Sequence, residues 1–306
     1  MTALVLPLAL FIDFWWGEPR RAHPLVGFGA LAQRLEAALN TGAHRIARGA
    51  AAWCALVVPL VAVGALAQIA LAAHGFLATV IGAAVLYLAI GLQSLREHAR
   101  AVAVSLRADD LAQARRGLAL MVSRDTQRLD HAAVSAATVE SVLENGNDAV
   151  IASLFWFAVA GIPGVLLHRA ANTLDAMWGY RDERFDAFGR VAARVDDVLN
   201  YMPARITAMA YVLTGAGASA WRCWRAQARH WRSPNAGPVM AAGAGALRVR
   251  LGGAAAYRGH IEQRPSLGCG GPAGTGDIER ALRLLDRSVW LVASVLMAML
   301  FAVRAA

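Results

Sequence analysis

Glu140, Glu144 and Asp148 are spaced by four, and their residue type suits chemistry better than any other group in this chain. A continuing α-helix lines such residues along one face. Like charges so placed repel, and no arginine lies between residues 129 and 168 to neutralise them locally. Asn145 and Asn147 stand beside the row. An oxygen-rich group of this kind suits Mg2+, which takes one or two carboxylates together with substrate phosphate and water. The plain alternative is a solvated helix face.

A second polar stretch holds Asn172, Asp175, Tyr180, Arg181 and Arg184, and it continues through Asp196, Asp197, Asn200 and Arg205. Alternating acids and arginines either pair with each other on a surface or face a cavity. Ser233-Pro234-Asn235-Ala236-Gly237 and Gly252-Gly253 are turn sequences whose backbone amides can cradle an anion, although each alone is a weak signal. Asp13 lies inside an apolar window, where a charge is costly unless it faces protein or water. Glu18 and His23 follow it closely.

These residues are carried by a chain built for a bilayer. Hydrophobic residues make up 58% and charged residues 17% of the 306, against roughly 45–50% and about 25% in soluble domains. The apolar residues fall into the windows Thr2–Trp16, Ala50–Ala73, Phe76–Leu92, Ala149–Leu167, Ile206–Ala220 and Val289–Val303. A span needs about 20 residues, so only the second is comfortably long. Gly161-Ile162-Pro163-Gly164 should break the fourth, and irregular backbone at that depth needs protein or a water-filled cavity over it. The expected fold is an all-α polytopic membrane protein with about four full spans and two broken or re-entrant helices, at 149–167 and 206–220. The first sixteen residues lack a basic leader and read as a retained span.

All 30 basic residues are arginine and the net charge is +9. Without lysine there is no Walker-A site, and no aromatic-plus-basic pattern points to nucleic acid. Five arginines lie between Gly17 and Gly49, seven between Arg96 and Arg128, and eleven in 221–288. The positive-inside bias therefore places those segments in the cytoplasm. The chain reads as one membrane-embedded domain, 1–306, with a cytoplasmic helical segment at 96–148 and cytoplasmic polar segments at 168–205 and 221–288. Leu95, Ala99, Val102 and Leu106 recur at helical spacing in the first of these. Ser233–Gly276 shows no long periodic segment and reads as a functional loop. Cys54, Cys223 and Cys269 imply neither a disulfide framework nor a zinc site.

At these residues the sequence resembles the CobD/CbiB family, the adenosylcobinamide-phosphate synthases. The likeness runs from Asp13, Gly17-Glu18-Pro19 and His23-Pro24 to Arg264-Pro265-Ser266-Leu267-Gly268. Its most specific parts are Ser123-Arg124-Asp125-Thr126, Glu140-Ser141-Val142-Leu143-Glu144-Asn145, Asn172-Thr173-Leu174-Asp175-Ala176-Met177 and Gly179-Tyr180-Arg181. Asp196-Asp197-Val198-Leu199-Asn200, Pro203-Ala204-Arg205, Ser233 to Gly237, and Arg250-Leu251-Gly252-Gly253 with Tyr257 agree as well. Gly146 and Ala149 depart from the family's usual Thr and Gly, and Cys269-Gly270-Gly271-Pro272 is a local variant.

The resemblance implies an ATP-dependent amide ligase in the cell inner membrane, with its site facing the cytoplasm. It would join aminopropanol or its O-phosphate to a propionate carboxylate of adenosylcobyric acid, with Mg2+ as the metal and the corrinoid as substrate rather than prosthetic group. A carboxylate is a poor acyl donor and must be activated as an acyl phosphate or an acyl adenylate. On that reading Glu140, Glu144, Asp148 and Asp175 hold metal and nucleotide, while Arg124, Arg181, Arg184 and Arg205 clamp phosphate or carboxylates. Asp196 or Asp197 takes the amine's proton, with His23 in reserve. Asp125, Asn145, Asn172, Tyr180, Asn200, Ser233, Asn235, Gly252 and Gly253 bind substrate or nucleotide, and Asp13 and Glu18 are further candidates. The lipid bilayer is the standing partner, and a homo-oligomer is compatible with the sequence. A transporter and a non-catalytic membrane sensor of the AmpE type are the rival readings; the transporter predicts an inverted repeat, and none is visible.

Overall fold

A computed structural model describes residues 3–19, 23–257 and 260–305. Arg20, Arg21 and Arg258, counted above in the loop charge, lie outside the described residues, as does the side chain of Tyr257. Twelve α-helices and a few short strands make up the described chain, which divides into two compact units. The first comprises Met1–Gly91, Ala152–Asn200 and Val295–Ala306; the second comprises Leu92–Ile151 and Tyr201–Ser294.

Four helical runs are long and apolar enough to cross a membrane: Arg45–Ala70, Gly75–Arg107, His131–Trp178 and Thr275–Val303. The number four agrees with the sequence, but the membership differs. Helix α1 (Val5–Trp16) has 12 residues, roughly 18 Å at 1.5 Å per residue, short of a hydrocarbon core of about 30 Å. The window at 149–167 belongs instead to one of the long runs. That run holds α7 (His131–Asn145), a π-turn at Gly146–Ile151 and α8 (Ala152–Trp178). The break expected at Gly161 is present as a kink, with φ 66° and ψ −141°. Gln68 of α3 (Arg45–Ala70) repairs it. Its Oε1 accepts the Ile162 N–H at 2.9 Å, and its Nε2 donates to the Ala160 carbonyl at 3.5 Å. The backbone groups freed by the kink therefore keep partners where water is scarce. A Cβ on Gly161 would lie 2.0 Å from Gln68 Oε1, so the position needs glycine for space as well as for its positive φ.

Within the first unit α3 packs on α8, α1 on α4 (Gly75–Ala89), and α2 (Pro24–Leu39) on both α3 and α8. Ala32, Ala52, Leu56, Val57, Leu174, Trp178 and Phe188 form its core. Trp178 meets Phe188 edge-on at 5.1 Å between ring centroids, a favoured arrangement for aromatic pairs.

The second unit begins with α5 (Leu92–Arg107) and α6 (Leu111–Ala119), which pack on each other and on α7. Leu95, Ala99, Val102 and Leu106 face inward on α5, as their spacing predicts. The chain continues through α9 (Arg190–Thr214) and α10 (Gly217–Gln227), so the window at 206–220 is interrupted at Gly215–Ala216. The segment from Ser233 departs from the expected loop. It forms α11 (Ala236–Leu247), buried along its whole length. AGPVMAAGAGAL is small and apolar on every face, so no amphipathic period announces it, as expected for a helix surrounded by protein. Strand β1 (Val249–Gly252) follows, antiparallel to β4 (Ser266–Gly268) and parallel to β5 (Gly271–Pro272); β2 (Ala255–Tyr257) and β3 (His260–Glu262) form a separate hairpin. Helix α12 (Thr275–Ala305) closes the chain.

Candidate functional site

In the second unit the polar residues gather around Glu140. Asp130 caps α7 by accepting the Ala133 N–H at 2.8 Å, and the helix then carries Glu140 into the interior, where its side chain is 4% exposed. Ser141 donates to the Met121 carbonyl at 3.2 Å, and Asn145 donates to Ser141 Oγ at 3.0 Å. These bonds hold the 121–124 segment against α7. Arg124 then reaches Glu140 Oε2. Arg264 grips both carboxylate oxygens, at 3.1 and 3.2 Å, and the Gly252 N–H donates to Oε1 at 2.8 Å. Arg264 also donates from Nε to the Gly253 carbonyl at 3.2 Å and lies over the Trp231 ring, 5.3 Å from its centroid. Gly252 has φ 84°, and a Cβ there would stand 2.1 Å from the Pro265 carbonyl oxygen. The close pairing of β1 with β4 thus requires the glycine and delivers its amide to Glu140.

The carboxylate row is not presented as one face. Glu140 is buried, Glu144 exposed and Asp148 half-buried. The helix widens into the π-turn directly after Asn145, so the α-helical register on which the row depended is not kept to Asp148. Asn147 donates to Asp148 Oδ1 at 2.7 Å and accepts from Thr207 at 2.8 Å. Tyr211 donates to the Leu143 carbonyl at 3.0 Å. Gly146 packs under α12, where a Cβ would meet Leu285 Cδ1 at 2.4 Å, so a threonine here would require Leu285 to move. Asp125 is exposed. Arg205 donates to Asn235 Oδ1 at 2.8 Å and stacks 3.6 Å from the Tyr201 ring centroid. Ser233 Oγ accepts the N–H groups of Asn235 and Ala236, which begins α11.

The first unit holds a separate polar chain. Asp196 accepts from Asn200 at 3.0 Å and from Asn172 at 3.5 Å. Asn200 Oδ1 lies 3.4 Å from His168 Nε2, and Arg169 donates to Asn172 at 3.3 Å. Asp197 is within electrostatic reach of Asp175. Burial pushes the Asp197 carboxyl above its usual range, opposed by Arg194 and Arg181. Arg184 pairs with buried Glu36 through Nε at 3.1 Å and Nη2 at 2.7 Å, which holds Glu36 below the ordinary carboxylate range. Arg181, Tyr180 and Glu18 are exposed, and Asp13 is buried within reach of Tyr87. His23 accepts the Leu25 N–H at 3.2 Å as the cap of α2.

The sequence pattern that defines the CobD/CbiB protein family matches residues 6–285. The cobalamin biosynthesis protein CobD of Chromobacterium violaceum is 53% identical over 304 residues, covering 97% of this chain and 96% of that protein. Its namesake in Stutzerimonas stutzeri is 56% identical over 288 residues, covering 93% and 94%. The Mycobacterium tuberculosis CobD is 40% identical over 298 residues, covering 96% and 94%. This chain belongs to the CobD/CbiB family. No solved structure matches it.

For this CobD/CbiB chain the geometry sorts the candidates. Arg124, Glu140, Gly252 and Gly253 come together, as do Arg205, Ser233 and Asn235, and as do Asn172, Asp196 and Asn200. Arg184 is engaged by Glu36. Arg264 and His168 belong to these networks without standing among the candidates. Arg264 stood only within a motif, and the sheet register that brings it to Glu140 is not a local property. His168 is a lone histidine closing an apolar window, and its partner Asn200 is 32 residues away. Among the described residues no three His, Cys, Asp or Glu side chains gather as a metal-holding group. Glu140 does not fit a metal as placed, because four N–H donors already occupy its oxygens. Glu144 is exposed and Asp148 half-buried, and Mg2+ takes one or two carboxylates beside phosphate and water.

Proposed function

We propose that this protein acts in cobalamin biosynthesis as an ATP-dependent amide ligase of the inner membrane, with its site on the cytoplasmic side. It attaches aminopropanol or its O-phosphate to a propionate carboxylate of adenosylcobyric acid. The observation that carries this reading is the family match over residues 6–285, supported by relatives that bear the cobalamin biosynthesis name along nearly their full length.

Mg-ATP would supply the activation that makes a carboxylate an acyl donor. The chain's own residues then have mainly to position and to neutralise charge. Arg124 is held where it can meet an anion, and Glu144 and Asp148 offer oxygens for the metal. Asp197 accepts the proton that the amine must lose before it can attack, and its raised carboxyl is the better base for that task. Asp196, held by two amides, keeps a fixed orientation beside it. The corrin ring is large and amphiphilic, which suits a protein embedded in a bilayer.

Incubating the detergent-purified protein with adenosylcobyric acid, Mg-ATP and aminopropanol phosphate, then weighing the corrinoid by mass spectrometry, tests the reading. The expected product mass is that of the amide. ATP consumption that proceeds without either corrinoid or amine would sink it.

A further inference from the structure

We infer that Glu140 is the holder of a two-arginine fork, and that Arg124 and Arg264, beside the Gly252–Gly253 turn, receive the phosphate group of a phosphorylated ligand. The naming of ligands rests on the ligase reading above; the fork itself does not.

The side chains of Arg124 and Arg264 are 9% and 11% exposed, and Glu140 is 4% exposed. Two guanidiniums against one carboxylate leave this trio with a surplus positive charge, away from bulk water. A buried charge is costly unless it is paired. One arginine would have sufficed for Glu140, because Arg264 alone engages both of its oxygens. The second therefore has a reason other than satisfying the acid.

Donor geometry points the same way. A guanidinium carries five N–H donors. Arg264 directs its donors at Glu140 and the Gly253 carbonyl. Among the described residues Arg124 donates to Glu140 alone, which leaves most of its fork for something else. Trp231 backs the Arg264 plane and limits its swing. Beside them Gly252 is tightly packed, but a Cβ on Gly253 would meet nothing within 4 Å although its φ is +80°. Backbone that is bare and open next to two fixed guanidiniums lets a ligand approach closely. A phosphate group suits this place: it offers three acceptor oxygens and charge beyond that of a carboxylate, and arginine forks match it bidentately.

Two sources carry that group in the proposed reaction, the nucleotide and aminopropanol O-phosphate. Calorimetric titration of the full-length protein in detergent with inorganic phosphate, metal-free ATP and aminopropanol phosphate separates them, with adenosine and aminopropanol as unphosphorylated controls. At least one phosphorylated probe should bind more tightly than its control. Arg264→Lys and Arg124→Lys, which keep the charge and lose the fork, should each weaken that binding by about tenfold and leave the control unchanged. If Arg264→Lys lowers the melting temperature, Arg124→Lys decides, since it surrenders only one bond to Glu140. Absence of binding by every phosphorylated probe, or equal affinity in wild type and variants, overturns the fork. Fork-dependent phosphate binding in a protein that fails to convert corrinoid would leave the fork standing and the ligase reading refuted. Corrinoid conversion with variants that bind phosphate normally would do the reverse.

Discussion

Replacing Glu140 by glutamine keeps its size and removes the charge that two guanidiniums share. Breaking a buried ion pair from one side costs about 3–5 kcal/mol, so Glu140→Gln should lower stability strongly in a denaturant titration of the detergent-solubilised protein. Unchanged stability would contradict the anchoring role. Glu144 differs because it is exposed. Glu144→Gln should leave the melting temperature as it is while abolishing corrinoid amidation, and retained turnover would remove Glu144 from the site. The two carboxylates have the same chemistry and a four-residue spacing, yet burial gives them opposite expected phenotypes.

At the scale of elements, the kink in α8 depends on a side chain from α3. Gln68→Leu leaves the Ile162 N–H and the Ala160 carbonyl without their partner, and an unsatisfied buried group costs about 1–3 kcal/mol. Gly161→Ala should be worse, since it adds a strained φ and a contact at 2.0 Å with Gln68. Stability measured by the same titration should rank wild type above Gln68→Leu and Gly161→Ala lowest. The segment between α8 and α9 has its own tether, Arg184 on Glu36. The Arg184 guanidinium holds Glu36 below the ordinary carboxylate range. Its stabilising contribution is therefore fully present above that range and is lost as pH falls through the lower folded value. Hydrogen exchange corrected for intrinsic rate should show residues 180–189 becoming less protected through that acidic window, and Arg184→Gln should abolish the change. The helices themselves were legible where one face is apolar, as in α5. They were not legible in α11, whose residues are apolar all round, nor in the strands of 249–272, which are only two to four residues long.

Across the whole molecule, sequence alone determined that this is a multi-span helical membrane protein, because long apolar runs have no other stable use in a chain with 17% charged residues. The ordered motifs also determined its family, since they are local strings that can be read without a fold. Tertiary structure decided what those motifs do to one another. Glu140 lies 112 residues from Gly252 and 124 from Arg264, and its meeting with them depends on the pairing of β1 with β4 and the burial of α7. A four-residue spacing predicts a shared helix face only while the helix keeps its pitch, and the π-turn at Gly146 ends that condition. Residue types marked where chemistry is available; which acid holds arginines and which reaches the surface was set by burial and by partners distant in sequence.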